Sequence, residues 1–540
     1  MTRTTEPQSS DILRRRLRQS GLAVTAASAL GTAQFAFAQG TPVRGGQLIV
    51  GSPGRPRHFN PALQSGSPMM PAAQLFASPL LIDRKWQPKP YLAERWSVSD
   101  DSRSITLHLR KDARFHDGRP ITSEDVEFSV EAVRDHHPFK GMFAPVNAVT
   151  LPDKHTAIVR LKEPHPALQL AMTTVFVPIL PKHIYGDGTP LPTHPRNVNN
   201  VVGSGPFKLV EFKPGEHVIM QRFDQFFLKD LPYVDRLVFR EYKDSASLVL
   251  GFERGEVDVV PFMNDPREIA RVRKVAGATV IDDFVPGVGA LVWLAFNTKS
   301  PKLADKRVRQ AISYAIDRDF VVKNLSTGAQ RVSTGPLHSG SPFYSADVEK
   351  YAFNLAKAGA LLDAAGLKAG ADGKRLALTC DSVSSGDQRT LAEYLRPALS
   401  KIGIDLTVRF APDFPTWARR VGEHDFELTT DSVWNWGDPV IGVHRTYQTS
   451  NIRKGVIWSN TQQYSNAKVD DLMARAGVER DQAVRKKLYA EMQKIVVDDC
   501  PIAFVFETGY SGAFGPNVTN LDFGVWGPLA PLHTTGLKKA

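Results

Sequence analysis

The alternation of strand and helix patterns in the second half of the chain constrains the fold more than any other feature. An apolar strand pattern at Leu291–Asn297 is followed by apolar residues at helical spacing, namely Val308, Ile312, Ala315 and Ile316. Beyond them, strands predicted at 375–380, 405–410 and 426–431 alternate with helices predicted at 355–365, 388–402 and 481–497. Strands that alternate with helices predict a sheet covered on both faces, so the fold class is α/β.

The first half of the chain is richer in strands. Alternating segments predict strands at 47–51, 105–109, 157–161, 207–212, 218–222 and 236–240. Thr122 and the acids after it predict the start of a helix, and a further short strand is predicted at 501–506. The composition changes near Gly287. At roughly 100–200 residues per domain, 540 residues require several domains.

The first 38 residues predict an export signal. Arg14-Arg15-Arg16 precedes a weakly apolar run from Leu22 to Leu30, and Ala36-Phe37-Ala38 forms a small-x-small cleavage site. The run is shorter than the ~20 residues that span a bilayer. Both twin-arginine and Sec export fit this pattern, and no cysteine near the cleavage site is available for lipid attachment. We therefore expect a periplasmic protein, cleaved after Ala38, that is not a lipoprotein.

Export also limits the partners and the chemistry. The net charge of +11 falls to about +8 without the leader, and little nucleic acid exists outside the cytoplasm, so we expect no nucleic-acid partner. Cys380 and Cys500 could form one disulfide in an oxidising compartment, and isolated buried thiols are the preferred interpretation. The sequence contains no G-x-S-x-G, H-E-x-x-H or G-x-x-x-x-G-K-[ST] motif. We therefore expect no catalytic residue, no metal and no cofactor.

Several phrases, in order along the chain, resemble the bacterial extracellular solute-binding protein family five. They are Gly45-Gly46-Gln47-Leu48, Pro90-Tyr91-Leu92-Ala93-Glu94-Arg95-Trp96, Phe115-His116-Asp117-Gly118, Gly203-Ser204-Gly205-Pro206-Phe207, Gly255-Glu256-Val257-Asp258, Arg307-Val308-Arg309-Gln310-Ala311-Ile312, Ala315-Ile316-Asp317-Arg318 and Asn466 with Val469-Asp470. Together they cover the chain from about residue 45 to 510.

The resemblance implies a two-lobed periplasmic binding protein of the peptide-binding type (type II, cluster C) with an extra inserted subdomain. Residues 43–60, 196–287 and 500–540 would form a discontinuous first lobe, 61–195 the inserted subdomain and 288–499 the second lobe. The chain would cross between lobes near Phe284–Gly289 and Asp499–Pro501, and these crossings would act as the hinge.

The implied function is that of the periplasmic substrate-binding protein of an ABC importer. It would capture a peptide-like or other small polar solute between the lobes and deliver it to the membrane permease, and it is expected to be a monomer. The alternative is a secreted hydrolase or a periplasmic chaperone that uses the same cleft.

Candidate ligand-binding residues follow from position within the family pattern. The first lobe would contribute Ser65, Gly66, Ser67 and Asn264, and the second lobe Trp293, Trp434, Trp436 and Asp438. Aromatic rings supply contact area in such sites and a few polar groups fix orientation. Trp293 lies inside a predicted strand, so a position in the core is an equal alternative for it.

Two departures bear on the ligand. Peptide-binding members place an Asp three residues after the Trp of this loop, where this chain has Gly437. Dipeptide binders use an Arg in the loop that here spans 381–387, which contains no cation. Both departures argue against a free dipeptide. Asp381, Asp387 or Asp438 could instead recruit an amine or guanidinium, or the two Trp of the loop could stack on a sugar, another ring or an opine-like conjugate.

Overall fold

A computed structural model describes Met1 and residues 42–52, 54–64, 66–325, 330–384, 386–521 and 523–538. Apart from Met1, the expected export signal with its cleavage site lies outside these ranges, as does Ser65. The strands are β1 Gln47–Ser52, β2 Leu80–Ile82, β3 Pro88–Pro90, β4 Ala93–Val98, β5 Ser104–Leu109, β6 Val146–Asp153, β7 Thr156–Leu161, β8 Phe207–Lys213, β9 His217–Arg222, β10 Arg236–Glu241, β11 Val259–Met263, β12 Thr279–Ile281, β13 Ala290–Phe296, β14 Arg331–Val332, β15 Leu376–Val383, β16 Ile404–Ala411, β17 Leu428–Trp434, β18 Ile502–Thr508, β19 Ser511–Phe514, β20 Val518–Thr519 and β21 Gly536–Leu537.

The α-helices are α1 Ala72–Leu75, α2 Ser123–His136, α3 Leu168–Ala171, α4 Lys182–Tyr185, α5 Ser245–Glu253, α6 Pro266–Val272, α7 Lys306–Tyr314, α8 Arg318–Phe320, α9 Leu355–Ala364, α10 Gly386–Ser400, α11 Phe414–Gly422, α12 Pro439–Gly442, α13 His444–Tyr447, α14 Ala467–Val478 and α15 Gln482–Asp499. The predicted start of α2 is confirmed: Thr122 and Asp125 form a capping box, and the apolar face after them is buried. No helix in the described ranges is both long and apolar enough to cross a membrane.

The described strands form two large sheets, a four-stranded sheet and the two-stranded sheets β2-β3 and β20-β21. The seven-stranded sheet, here called the first lobe, has the order β12-β19-β11-β1-β10-β9-β8 and combines strands from the start, middle and end of the chain. The six-stranded sheet, the second lobe, has the order β14-β18-β13-β17-β15-β16. The four-stranded sheet β4-β5-β7-β6 interrupts the first lobe in sequence, and this sheet with the other described residues of 61–195 is here called the inserted part. The fold is therefore the expected two-lobed α/β arrangement.

Two segments carry the chain between the large sheets. The first follows β12, and the second is the short turn between β18 and β19. The second crossing was expected near Asp499–Pro501, but β18 pairs with β13 and so belongs to the second lobe. Every residue of β18 is buried, because this strand lies between two others inside the sheet. The N–H of Phe284 in the first crossing donates to the carbonyl of Tyr510 in the second at 2.6 Å.

Residues within the family phrases bind segments that are distant in sequence. The carboxylate of Asp258 accepts a hydrogen bond from the N–H of Ile49 at 2.8 Å, which fixes the end of β11 against β1. The guanidinium of Arg309 donates to the carbonyl of Cys500 at 3.0 Å and to three further carbonyls. Both cysteines are buried and unbridged, as predicted. The phrases therefore mark the framework rather than the ligand site.

Candidate functional site

The segment from Trp434, the last residue of β17, to Asp438, the residue before α12, contains three of the predicted site residues, and each lies in a different environment. Trp434, at its first position, faces Gly66 of the inserted part and Tyr510 at the second crossing. A Cβ built on Gly66 would lie 4.0 Å from the Trp434 ring, and the Trp434 indole also lies beside the Tyr510 hydroxyl. Trp434 remains half-buried, so part of its ring is open to a solute. The structure thus brings together Gly66 and Trp434, two of the predicted site residues.

Trp436 lies in the aromatic contact that joins the lobes to the inserted part. Its ring is fully buried, with centroids 5.0 Å from Phe139, 6.3 Å from Phe176 and 6.4 Å from Trp526. Within the described ranges its indole N–H has no hydrogen-bond partner. Since no ring surface is exposed, the prediction that Trp436 contacts ligand is replaced by a packing role.

Asp438 is paired within the second lobe. Its two carboxylate oxygens accept from the guanidinium of Arg485, both at 2.7 Å, and both side chains are buried. Asp438 also accepts from the N–H of Val440 at the start of α12. This end of the loop lines a groove of about 870 Å³ that also touches Trp86 and Leu170 of the inserted part. The predicted ligand contact of Asp438 therefore gives way to a structural ion pair.

Trp293 lies in the core of the second lobe. It is 4% exposed, sits opposite Asp431 across the β13–β17 pair, and its ring centroid is 6.2 Å from that of Phe504. β13 lies between β18 and β17 inside the second-lobe sheet, and Trp293 belongs to the hydrophobic core of that lobe. Of the two alternatives for this residue, the core position is the one observed.

The remaining candidates lie at the edge of the first lobe. Asn264 directly follows β11, whose last residue, Met263, pairs with Ser511 just after the second crossing. The Asn264 side chain is half-buried. Ser67 begins the 3₁₀ turn Ser67–Met69. The structure thus places Gly66, Asn264 and Trp434 near the crossings. Trp436 also lies beside the first crossing, where its backbone N–H donates to the carbonyl of Val288 at 3.1 Å, but its ring is packed against other rings, and Trp293 and Asp438 are buried in the second lobe.

Two aromatic residues of this region were missed by the sequence reasoning. Phe262 on β11 and Tyr510 at the second crossing stack edge to face, with centroids 5.5 Å apart. Phe262 has a φ of +57°, a backbone conformation that is uncommon outside glycine and is found at binding sites. Burial and the nearby Asp387 carboxylate raise the pKa of Tyr510 to about 12. A correctly placed second crossing would have drawn attention to Tyr510.

A buried charge pair lies below Trp434 in the second lobe. Burial raises the pKa of Asp431 to about 7, although the positive charge of Arg445 and the Trp458 indole favour its ionised form. Burial lowers the pKa of Arg445 to about 10, and its guanidinium lies 5.1 Å from the ring centroid of Phe139. Arg445 also donates to the carbonyl of Trp434 at 3.2 Å. These charges hold the Trp434 backbone against the inserted part.

Metal binding has no support in this geometry. Among the described residues, no group of three or more His, Cys, Asp or Glu side chains is arranged to hold a metal ion. The arrangement consists instead of half-buried rings from both lobes, one loop glycine and nearby carboxylates. Such a surface can bind and orient a small solute by contact area and a few polar groups.

The match to a known family decides the class of the protein. The family model described as bacterial extracellular solute-binding proteins, family 5 Middle, matches residues 87–454, which is more than half of the chain. The chain belongs to this family. It is thus a solute-binding protein, and its family consists of binding components of transporters rather than enzymes.

Individual relatives agree over nearly the whole length of this family member. The dipeptide-binding protein of Escherichia coli (strain K12) is 26% identical over 530 residues, covering 93% of this chain and 96% of the relative. The oligopeptide-binding protein AppA of Bacillus subtilis (strain 168) is 26% identical over 495 residues, covering 86% and 87%. The solved structure of Bacillus subtilis AppA with a nonapeptide has a TM-score of 0.76, is 24% identical, and covers 92% of this chain and all of that one.

Proposed function

We propose that this protein is the periplasmic substrate-binding component of an ABC importer. It captures a peptide-like or other small polar solute between its two lobes and presents the closed form to the membrane permease. The named relatives bind dipeptides and oligopeptides, which supports a solute of this class. We further propose that the protein acts as a monomer after removal of the leader at Ala38, and that it performs no catalytic step on the solute.

The observation that carries this proposal is the position of the aromatic surface relative to the crossings. Trp434 belongs to the second lobe, Phe262 to the first, and Tyr510 to the crossing between them. A solute in contact with these three rings touches both lobes at once. Among the described residues, the chain joins the two lobes through the two crossings, which can act as a hinge. A solute that contacts both lobes therefore favours the closed arrangement over the open one.

The membership of each strand in one of the sheets supports a proposed division of the chain. The first lobe would comprise 43–60 with 196–287 and the C-terminal tail, and the inserted part would comprise 61–195. The second lobe would run from 288 to about 508 rather than 499, because β18 pairs with β13. Limited proteolysis that cuts between these parts more slowly with solute than without it would agree with this division.

Mass spectrometry of co-purified solute tests the proposed function. The protein is purified from the periplasm, its solute is released by denaturation, and the solute is added back to stripped protein. We expect saturable quenching of Trp fluorescence, a smaller radius of gyration by X-ray scattering, and recovery of the solute unchanged. Conversion of the solute to a product would contradict the proposal, as would binding without any compaction.

A transport assay adds the permease. Cells that lack this protein should fail to accumulate the labelled solute, and the wild-type chain should restore uptake. Trp434→Ala should restore it poorly, while Phe353→Ala, a change at an exposed ring, serves as the control. Full uptake in cells that lack the protein would contradict the proposal that this protein delivers the solute to an ABC importer.

A further inference from the structure

The structure distinguishes three acids of the second lobe that the sequence leaves equivalent. Asp381 is fully buried and pairs with both Arg409, at 2.6 Å, and Arg420. Asp438 pairs with Arg485 through two hydrogen bonds. Both carboxylates are satisfied by cations of the protein itself, so neither has reason to recruit one from a solute.

Asp387 differs from the other two. It lies in the first turn of α10, is half-buried, and has no hydrogen-bond or ion-pair partner within the part of the chain that the structure describes. Burial raises the pKa of its carboxyl group, since no neighbouring donor or cation offsets the loss of water. The positive end of the helix dipole tolerates this charge but does not pair with it.

The basic residue closest in sequence is already engaged. Arg389, two positions further along α10, donates to Glu393 at 2.9 Å and to the carbonyl of Ser384 at 3.1 Å. Its guanidinium also lies 5.2 Å from the ring centroid of Phe410. The side chain is exposed on the outer face of the helix. It therefore leaves the Asp387 carboxylate available.

The first turn of α10 lies against the strand that ends at Trp434, because the Gln388 side chain donates to the hydroxyl of Ser432 on β17 at 2.8 Å. This contact places Asp387, the residue before Gln388, near the aromatic surface of the cleft. The charge of Asp387 reaches the Tyr510 hydroxyl and raises the pKa of that group, and Tyr510 in turn contacts the Trp434 indole and the edge of Phe262. Half-buried rings beside a carboxylate attract cations through the negative face of each ring and repel carboxylates. The same combination gives no advantage to a neutral solute.

We propose that the solute carries a cationic group, an ammonium or a guanidinium, which binds between the Asp387 carboxylate and the rings of Trp434, Tyr510 and Phe262. This inference rests on the proposed function and narrows it to one class of solute. Gly437, the residue after Trp436, has no side chain that could hold a cation, so the carboxylate is supplied by α10. The sequence around Trp434 does not by itself show that the carboxylate is supplied by α10.

Calorimetry with matched probe pairs tests the inference. The pairs are choline against dimethylbutanol, its uncharged carbon isostere; leucyl-arginine against leucyl-citrulline; and dileucine against N-acetyl-dileucine. They distinguish a quaternary ammonium, a guanidinium and a terminal amine. We expect the charged member of at least one pair to bind at least about tenfold more tightly than its partner, since a charge-assisted hydrogen bond contributes that much.

Asp387→Asn should abolish this preference. We expect the charged probe to bind roughly tenfold to a hundredfold more weakly to the variant, and the neutral probe to be unaffected. Asp319→Asn removes the same charge from an exposed position on α8 and should leave both affinities unchanged. Phe262→Leu is a second variant that keeps apolar bulk but removes the ring face, and it should weaken only the charged probe, by a few-fold to about tenfold.

Each contrary outcome has one meaning. Equal binding within every pair, or an unchanged preference in Asp387→Asn, overturns the inference while solute binding itself stands. Recovery of a co-purified solute that is neutral or anionic overturns it in the same way. If no probe binds and no solute is recovered from the periplasm, the proposed function falls together with the inference.

Discussion

The acids near the two ends of the loop between β17 and α12 differ in whether they have a partner of opposite charge. At the Asp438 end, a carboxylate and the guanidinium of Arg485 are both buried and fully paired. At the Trp434 end, the neighbouring carboxylate of Asp387 is half-buried and has no partner among the described residues. A paired buried charge stabilises only if both partners stay, whereas an unpaired one is costly until a ligand arrives. The comparison separates a framework acid from a candidate binding acid.

The largest expected effect tests this difference through stability. Asp438→Ala leaves Arg485 buried without its partner, so the free energy of unfolding should fall by about 3–5 kcal/mol. Asp387→Asn removes a carboxylate that has no partner, and it should leave the stability of the solute-free protein within about 1 kcal/mol of wild type or raise it. Urea titrations of both variants provide the measurement. Equal losses of unfolding free energy in the two variants would contradict the distinction between a paired Asp438 and an unpaired Asp387.

The two tryptophans of the second lobe extend the comparison to apolar residues. Trp293 is buried in the core, so Trp293→Ala should cost about 3–5 kcal/mol of unfolding free energy and leave solute affinity unchanged in the folded fraction. Trp434→Ala removes a half-buried ring at the cleft, so it should cost about 1 kcal/mol or less in stability but weaken solute binding at least about tenfold. The reversed pattern would place Trp293, not Trp434, at the cleft.

These contrasts show which features of the molecule could be read from the sequence. The α/β fold and the start of α2 followed from periodicity and capping residues, and the two-lobed arrangement followed from phrases whose residues bind distant segments, as Asp258 binds Ile49. Periodicity and capping depend on residues that are close together in sequence, so the sequence predicts them directly. The order of phrases along the chain then carried the topology.

The site was less predictable because its residues are defined by partners that are distant in sequence. The residues near Asp438 in sequence do not predict its pairing with Arg485, which is 47 positions away. Those near Trp436 do not predict its contacts with Phe139 and Trp526. Gly66 and Trp434 are predicted from their positions within the family pattern, and their contact with a solute stays a prediction. Tyr510 was missed because the second crossing was placed one strand too early.

A pH titration examines the charge pair below Trp434. The pKa of Asp431 is raised from its ordinary value of 3.8 to about 7, so the folded chain holds a proton that the unfolded chain has lost between about pH 4 and 7. Stability therefore falls as pH rises through that window, by up to about 4 kcal/mol, and is level above it. Asp431→Asn lacks this contribution, so the stability of wild type relative to the variant should decline from pH 4 to 7. A constant difference would mean that Arg445 keeps Asp431 ionised throughout.

The smallest expected effect concerns the first lobe's side of the cleft. Gly66 has a φ of +83°, and a Cβ there would lie 3.8 Å from Pro68 and 4.0 Å from Trp434, which are ordinary contact distances. Gly66→Ala should therefore cost about 1 kcal/mol in stability, from backbone strain alone. Gly255→Ala is the matched control, since its φ is +72° and a Cβ there meets nothing within 4 Å. Both should lose similar stability, but only Gly66→Ala should shift solute affinity, by a few-fold, because its methyl group touches the ring that contacts the solute. Equal affinities in the two variants would move the binding surface away from Gly66.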